Sequence, residues 1–139
     1  MKIITDHLSV STKANTDIVD LTPGIMQILN RSGLKEGQVT VFAPGATAGI
    51  STVEYEPGLL KDIPERLEAI APSGDTYQHD LTWHDGNGHS HVRATFIGPS
   101  LTIPFVDGKM TLGTWQQVIL IDCDVPARQR DIVVQVMGQ

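Results

Sequence analysis

Four of the five histidines lie in one short stretch: His79, His84, His89 and His91. Neutral imidazole is the commonest metal-binding side chain and the natural acid–base group near neutral pH. One histidine in a polar stretch is most simply a solvated side chain. A cluster points instead to metal binding or catalysis. His89 and His91 flank Ser90. In an extended segment both would point the same way, and in a helix they would lie on different faces. Ser90 reads as an N-cap, and a helix beginning at His91 would offer its free N–H groups to a phosphate.

Other residues invite chemistry with less specificity. Glu54 and Glu56 share one side of an extended Val53-Glu54-Tyr55-Glu56 segment. They read either as a solvated strand edge or, for Glu54, as a metal ligand or base facing the histidines. Gly113-Thr114-Trp115-Gln116-Gln117 combines close backbone approach, a flat ring and an amide, and also suits strand entry with a core tryptophan. Arg128 and Arg130 sit in a proline-containing turn, either holding a phosphate or solvated. Cys123, between Asp122 and Asp124, reads as a buried structural thiol. Walker, Gly-x-Ser-x-Gly, Gly-x-Gly-x-x-Gly and Cys-x-x-Cys signatures are absent.

The elements that must position these groups follow from periodicity. Strands are expected at His7–Ser11, Ile18–Leu21, Gln38–Phe42, Ile50–Tyr55, Leu101–Val106, Val118–Ile121 and Ile132–Met137. Thr22 and Pro23 start a helix that Gly33 stops. A second helix is expected from about Leu59 to Ile70, with Leu60, Ile63, Leu67 and Ile70 on one face and Pro64 inside it. Residues 71 to 90 read as a long loop, followed by a short helix ended by Gly98-Pro99. Asp107-Gly108 is a hairpin turn, with Met110 onward as the return strand. Val118–Ile121 is a continuous apolar run suited to a strand buried on both faces. Regular βαβ alternation is missing, so we expect one α+β domain over residues 1–139, a mainly antiparallel sheet or sandwich with two or three helices.

Composition limits the partners. The 139 residues suffice for one core without staples. Hydrophobic residues make up 40% and charged residues 19%, a globular balance. The net charge of −6 argues against nucleic-acid or anionic-membrane binding. A single cysteine gives no internal disulfide, and no apolar run approaches a membrane span. With no signal-peptide core near Met1–His7, the expected location is cytoplasmic. Apolar paired strands near 101 to 121 would leave an edge that invites self-association.

Larger blocks then resemble a known family. Gly98-Pro99-Ser100-Leu101-Thr102-Ile103-Pro104, Asp107-Gly108 and Leu112-Gly113-Thr114-Trp115-Gln116-Gln117 closely resemble the YjbQ-like family, whose members are named secondary thiamine-phosphate synthases. Tyr77-Gln78-His79-Asp80, Ser90-His91-Val92-Arg93, and Thr47-Ala48 with Glu54 extend the likeness to nearly the whole chain. Where many members carry a histidine before the Thr-Ala pair, this chain has Gly45-Ala46. The resemblance implies a YjbQ-like α+β fold, a homotrimer and a metal-associated pocket near the subunit boundary. It implies condensation of an aminopyrimidine diphosphate with a thiazole phosphate, releasing pyrophosphate. His91, Glu54 and His79 are the expected catalytic residues. Arg93, Thr47, Trp115, Gln116 and Arg128 are the expected contacts to a small phosphorylated metabolite. His79, His89 and His91 are the expected ligands of a divalent metal, zinc or magnesium. The alternative is a non-catalytic trimer that binds a metal or phosphometabolite.

Overall fold

Alternating apolar residues build two antiparallel sheets that pack face to face. A computed structural model describes residues 1–139. In chain order the elements are β1 (Lys2–Ser11), β2 (Asp17–Asp20), α1 (Thr22–Ser32), β3 (Gly37–Phe42), β4 (Ala48–Val53), α2 (Pro57–Ile70), α3 (Gln78–Trp83), α4 (Gly88–Ile97), β5 (Ser100–Val106), β6 (Lys109–Met110), β7 (Gln117–Asp122) and β8 (Gln129–Gly138). One sheet has the order β1-β8-β3-β5-β6, the other β2-β7-β4. The fold is therefore α+β with antiparallel pairing, as expected.

The core follows from the two-residue period of the strands. Val39 and Val41 of β3, Ile103 and Phe105 of β5, and Ile132, Val134 and Val136 of β8 face Ile50, Val118 and Leu120 of the smaller sheet, with Ile25, Ile28 and Leu29 of α1 joining them. Burying one such side chain stabilises the fold by roughly 1.5–3 kcal/mol. Alternate residues of β7, Ile119 and Ile121, turn outward with Cys123 against Leu67 of α2. Hence β7 is buried on both faces, which explains its unbroken apolar run.

The helix ends show which side chains cap. Pro23 lies at the start of α1, and Gly33 ends it with φ 71°. Thr22 Oγ1 does not cap the helix; it accepts from Val118 N at 2.8 Å and ties α1 to β7. Glu56, paired with Glu54 in the sequence reading, is the N-cap of α2: its carboxylate accepts from Gly58 N and Leu59 N. That cap starts α2 at Pro57, before the expected Leu59.

Three expectations need correction. There are four helices rather than two or three, because the stretch read as a loop contains α3. This helix buries no residue and ends at His84 in the left-handed region, φ 55°, so it has no apolar stripe to betray it. Helix α4 begins at Gly88, with Asn87 rather than Ser90 in the cap position. The Asp107-Gly108 turn forms, both residues having positive φ, but β6 is only Lys109–Met110. Val118–Ile121 lies in the other sheet, so the continuous pair of strands expected from 101 to 121 does not exist. No helix is long and apolar enough to cross a membrane.

Candidate functional site

The turn from α3 to α4 brings histidines together. Gly88 N donates to Asp80 Oδ1 at 3.0 Å, and Asn87 N to Asp85 Oδ1 at 3.1 Å. A Cβ at Gly88 would lie 2.4 Å from Tyr77 Cβ, so only glycine lets the start of α4 reach the entry of α3. This close approach sets His79 against His91, with ring centroids 4.3 Å apart and planes tilted by 48°. His79 Nε2 lies 3.3 Å from Asp85 Oδ2. Burial raises the Asp85 carboxyl, but the Asn87 N–H and His79 outweigh it and hold the group below its ordinary value.

His91 also lines a depression of about 320 Å³ with Gly45, Ala46, Ala48, Ala94, Thr95 and Pro99. Small residues make its floor. Helix α4 is held there by close contact with β4: a Cβ at Gly49 would lie 2.5 Å from Ile97 Cγ2. Ile50 N donates to Gly98 O at 3.0 Å, which fixes the end of the helix.

Beside this depression lies a charged network. Arg130 Nε and Nη2 each donate to Asp122 at 2.8 Å, and Nη2 donates to Thr47 Oγ1 at 2.8 Å. Thr47 Oγ1 in turn donates to Asp124 Oδ2 at 3.0 Å. Asn87 Nδ2 and Arg128 Nε complete Asp124, at 2.8 and 2.9 Å. Burial raises Asp122, but hydrogen bonds from Arg130, Thr12 and the Asp124 backbone hold it below its ordinary value. Asp124 is also lowered, with burial opposed by Arg128, Asn87 and Thr47. Neither aspartate drew notice in sequence except as a neighbour of Cys123. Their alternation in Asp122-Cys123-Asp124 was the available signal, since it puts both carboxylates on one side of an extended chain.

Several expected contacts fall elsewhere. His89 is two residues from His91 and so turns to another face of α4. It is buried, its Nε2 is 3.5 Å from Ser90 Oγ, and its Nδ1 has no partner. Burial, then the charge of Arg93, push its pKa down. Hence the expected trio His79, His89 and His91 does not form. No group of three or more His, Cys, Asp or Glu side chains is arranged to hold a metal ion. Within one chain the donors therefore do not complete a site for the zinc or magnesium that the resemblance implies.

Arg93 is buried and structural. Its Nε donates to Ala71 O, its Nη1 to Thr16 Oγ1 and its Nη2 to Glu68 Oε2, at 3.0, 3.2 and 2.6 Å. These bonds clamp α2 to α4 and engage every nitrogen of the group in the fold. The expected phosphate cradle at the start of α4 is occupied too: Gly88 N bonds Asp80, and Ser90 N and His91 N bond Asn87 O.

Glu54, Trp115 and Gln116 lie at the far end of the smaller sheet. Ala48 pairs with Asp122 and Val53 with Gln117, so β4 separates the two ends by roughly 17 Å at strand rise. Glu54 follows Val53 and is exposed. Gln116 Nε2 donates to Thr52 Oγ1 at 3.2 Å, while the Trp115 side is 72% exposed rather than core. Within one chain these three do not meet the histidines.

Relatives agree with this architecture. The family described as "UPF0047 protein YjbQ-like" matches residues 6–139. A UPF0047 protein of Methanothermobacter thermautotrophicus is 36% identical over 139 residues, covering 100% of this chain and 95% of its own. YugU of Bacillus subtilis is 29% identical, covering 94% and 97% of the two chains. A crystal structure from Sulfolobus solfataricus, described as a YbjQ-like protein of unknown function, superposes with TM-score 0.94 at 35% identity, covering 99% of each chain. A hypothetical protein of Aeropyrum pernix superposes with TM-score 0.92 at 32% identity, covering 98% of this chain and 99% of that one. The chain belongs to the UPF0047, YjbQ-like family.

Proposed function

We propose that the protein is a cytoplasmic, homotrimeric enzyme acting on a small phosphorylated metabolite in the depression beside His91. The observation that carries this reading is the His79–His91 contact at 4.3 Å, with Asp85 behind His79. Two imidazoles, one oriented by a carboxylate, are a donor and proton-holding pair. They border a floor of Gly45, Ala46 and Ala48 that leaves room for a ligand.

The reaction in best accord with the resemblance joins an aminopyrimidine diphosphate to a thiazole phosphate. The bond from the pyrimidine methylene carbon to the diphosphate oxygen breaks, and its electron pair leaves with pyrophosphate. The thiazole nitrogen then bonds to that carbon. Charge develops on the leaving diphosphate, so N–H donors at that place lower the barrier. His91 faces the depression and is the group for this role. His79 orients His91 and is itself held by Asp85. Glu54, Trp115 and Gln116 take no part within one subunit. Exposed Trp83, Phe96 and Trp115 support a trimer, since large apolar side chains at 70%, 68% and 72% exposure favour burial against another copy.

A second reading is binding of a phosphometabolite without turnover. It is favoured by the floor of the depression, where Gly45, Ala46 and Ala48 offer no acid or base. A coupled assay for pyrophosphate release from both precursors, with wild type and His91→Ala, separates the two. Release above a protein-free control that falls on substitution supports the enzyme. Binding of the precursors with release no faster than the control leaves the binding protein. Sedimentation at micromolar concentration tests the trimer, and a lone 15.1 kDa species removes it.

A further inference from the structure

We infer that Arg130, through its Nη1 amino group, binds a phosphoryl group at Gly45, on the rim of the depression lined by His91. The inference rests on the reading of that depression as a phosphometabolite site and supplies its principal cation, which the sequence left open between two arginines and a solvated role.

Buried Arg93 and partly buried Arg130 differ in how their donors are used. Arg93 engages Nε, Nη1 and Nη2 with protein oxygens, as a structural arginine should. Arg130 engages Nε and Nη2 with Asp122, and Nη2 also with Thr47 and Asp124. Its Nη1 has no acceptor in the chain, although the side chain is only 12% exposed. The bidentate grip of Asp122 fixes the plane of the guanidinium and hence the direction of the remaining N–H groups. Nη1 is not sealed from solvent, so its N–H groups are open to a ligand at that place.

Nη1 is turned toward Gly45. A Cβ built there would lie 3.2 Å from it, so any larger residue would cover the amino group. Gly45 has φ 113°, a conformation that favours glycine. Gly45, Ala46 and Ala48 line the same depression as His91. One oxyanion between a fixed guanidinium donor and an imidazole fits that arrangement. A phosphoryl group, with oxygens to share between both donors, fits better than a single carboxylate. Asp122 and Asp124 match Arg128 and Arg130 in charge, so Nη1 offers a directed N–H donor rather than an unpaired charge.

The test is isothermal titration of the native protein with inorganic phosphate, inorganic pyrophosphate and acetate. Wild type is expected to bind phosphate or pyrophosphate saturably and acetate much more weakly. Arg130→Lys, which loses the planar fork, is expected to weaken binding at least tenfold. Gly45→Ala is expected to do the same while keeping the Arg130–Asp122 pair, with folding checked by its unfolding midpoint, so the test stands even if Arg130→Lys fails to fold. Lys109→Gln, which removes the same charge on the distant hairpin, is expected to bind as wild type. Absence of saturable phosphate or pyrophosphate binding by wild type overturns the inference. So does wild-type binding in a folded Gly45→Ala, or acetate binding as tightly as phosphate. Binding that depends on Arg130 and Gly45, with no pyrophosphate release from the thiamine precursors, keeps this site and discards the synthase reading. Release unaffected by both substitutions does the reverse.

Discussion

His79 and His91 stand ring to ring, with centroids 4.3 Å apart, although one sits on α3 and the other on α4. The contact exists because Gly88 allows the first turn of α4 to touch Tyr77 just ahead of α3. Geometry at a glycine thus decides whether two histidines form a pair or two solvated side chains.

Gly88→Ala should therefore disturb more than its own position. The added methyl would lie 2.4 Å from Tyr77 Cβ and 2.7 Å from Tyr77 Cγ, both close to the backbone of α3's entry. We expect a loss of about 1–3 kcal/mol, the usual cost of overpacking. Pyrophosphate release should fall with it as the imidazoles part. Denaturant unfolding and the coupled assay measure the two effects, and a variant as stable and active as wild type would show that α3 does not rest on this contact.

The aspartates give an acid limit. Asp122 and Asp124 are both held below the ordinary carboxylate value by hydrogen bonds that outweigh burial. A depressed folded value means that the unfolded chain binds protons first. The stabilisation is then complete above the ordinary range, near pH 4, and fades as pH falls through the folded values. Asp122→Ala should remove the Asp122 share and leave the partly buried Arg130 without its main partner, at a cost of up to about 3–5 kcal/mol. Unfolding free energies from pH 7 to pH 2 test this; an unchanged acid limb in the variant would place the acid sensitivity elsewhere.

His89 should give stability a second, milder slope. Burial depresses its pKa, so the folded protein keeps the ring neutral while the unfolded chain takes a proton below about pH 6.5. Stability therefore falls as pH drops through that value, by at most roughly 1.4 kcal/mol per pH unit until the folded ring also protonates. His89→Gln should flatten the curve below about pH 6.5, the ordinary histidine value. Chemical denaturation at half-unit pH steps would show it, and a wild-type curve already flat there would rule out the linkage.

Cys123 should be inert in the folded protein. It is buried, and burial first of all lifts its thiol to about 11. Thiolate is the reactive form, so alkylation at pH 8 should follow unfolding rather than solvent exposure. Labelling with iodoacetamide, with and without denaturant, reads this directly; rapid labelling of the native protein would mean that the sheet opens beside α2.

By itself the sequence determined the strands, because a half-buried strand must alternate and a doubly covered one must not. Val39–Val41, Ile132–Val136 and the unbroken Val118–Ile121 therefore announced their environments, as did Gly33 and Asp107-Gly108 through positive φ. It also marked His79 and His91, by clustering and by the family resemblance. What it could not decide is where each polar side chain spends its hydrogen bonds, since those partners are distant in the chain. Glu56 serves as a cap, Arg93 binds Ala71 O, Thr16 and Glu68, and Glu54 lies just past β4, whose length of about 17 Å separates it from the depression. His89 and His91, adjacent in any list of candidates, part because a helix turns 100° per residue. Only the tertiary structure separated Arg130 from Arg128. The difference is a register of β8 that lays one guanidinium across Asp122 with an amino group left over, while the other reaches Asp124 from a half-exposed position.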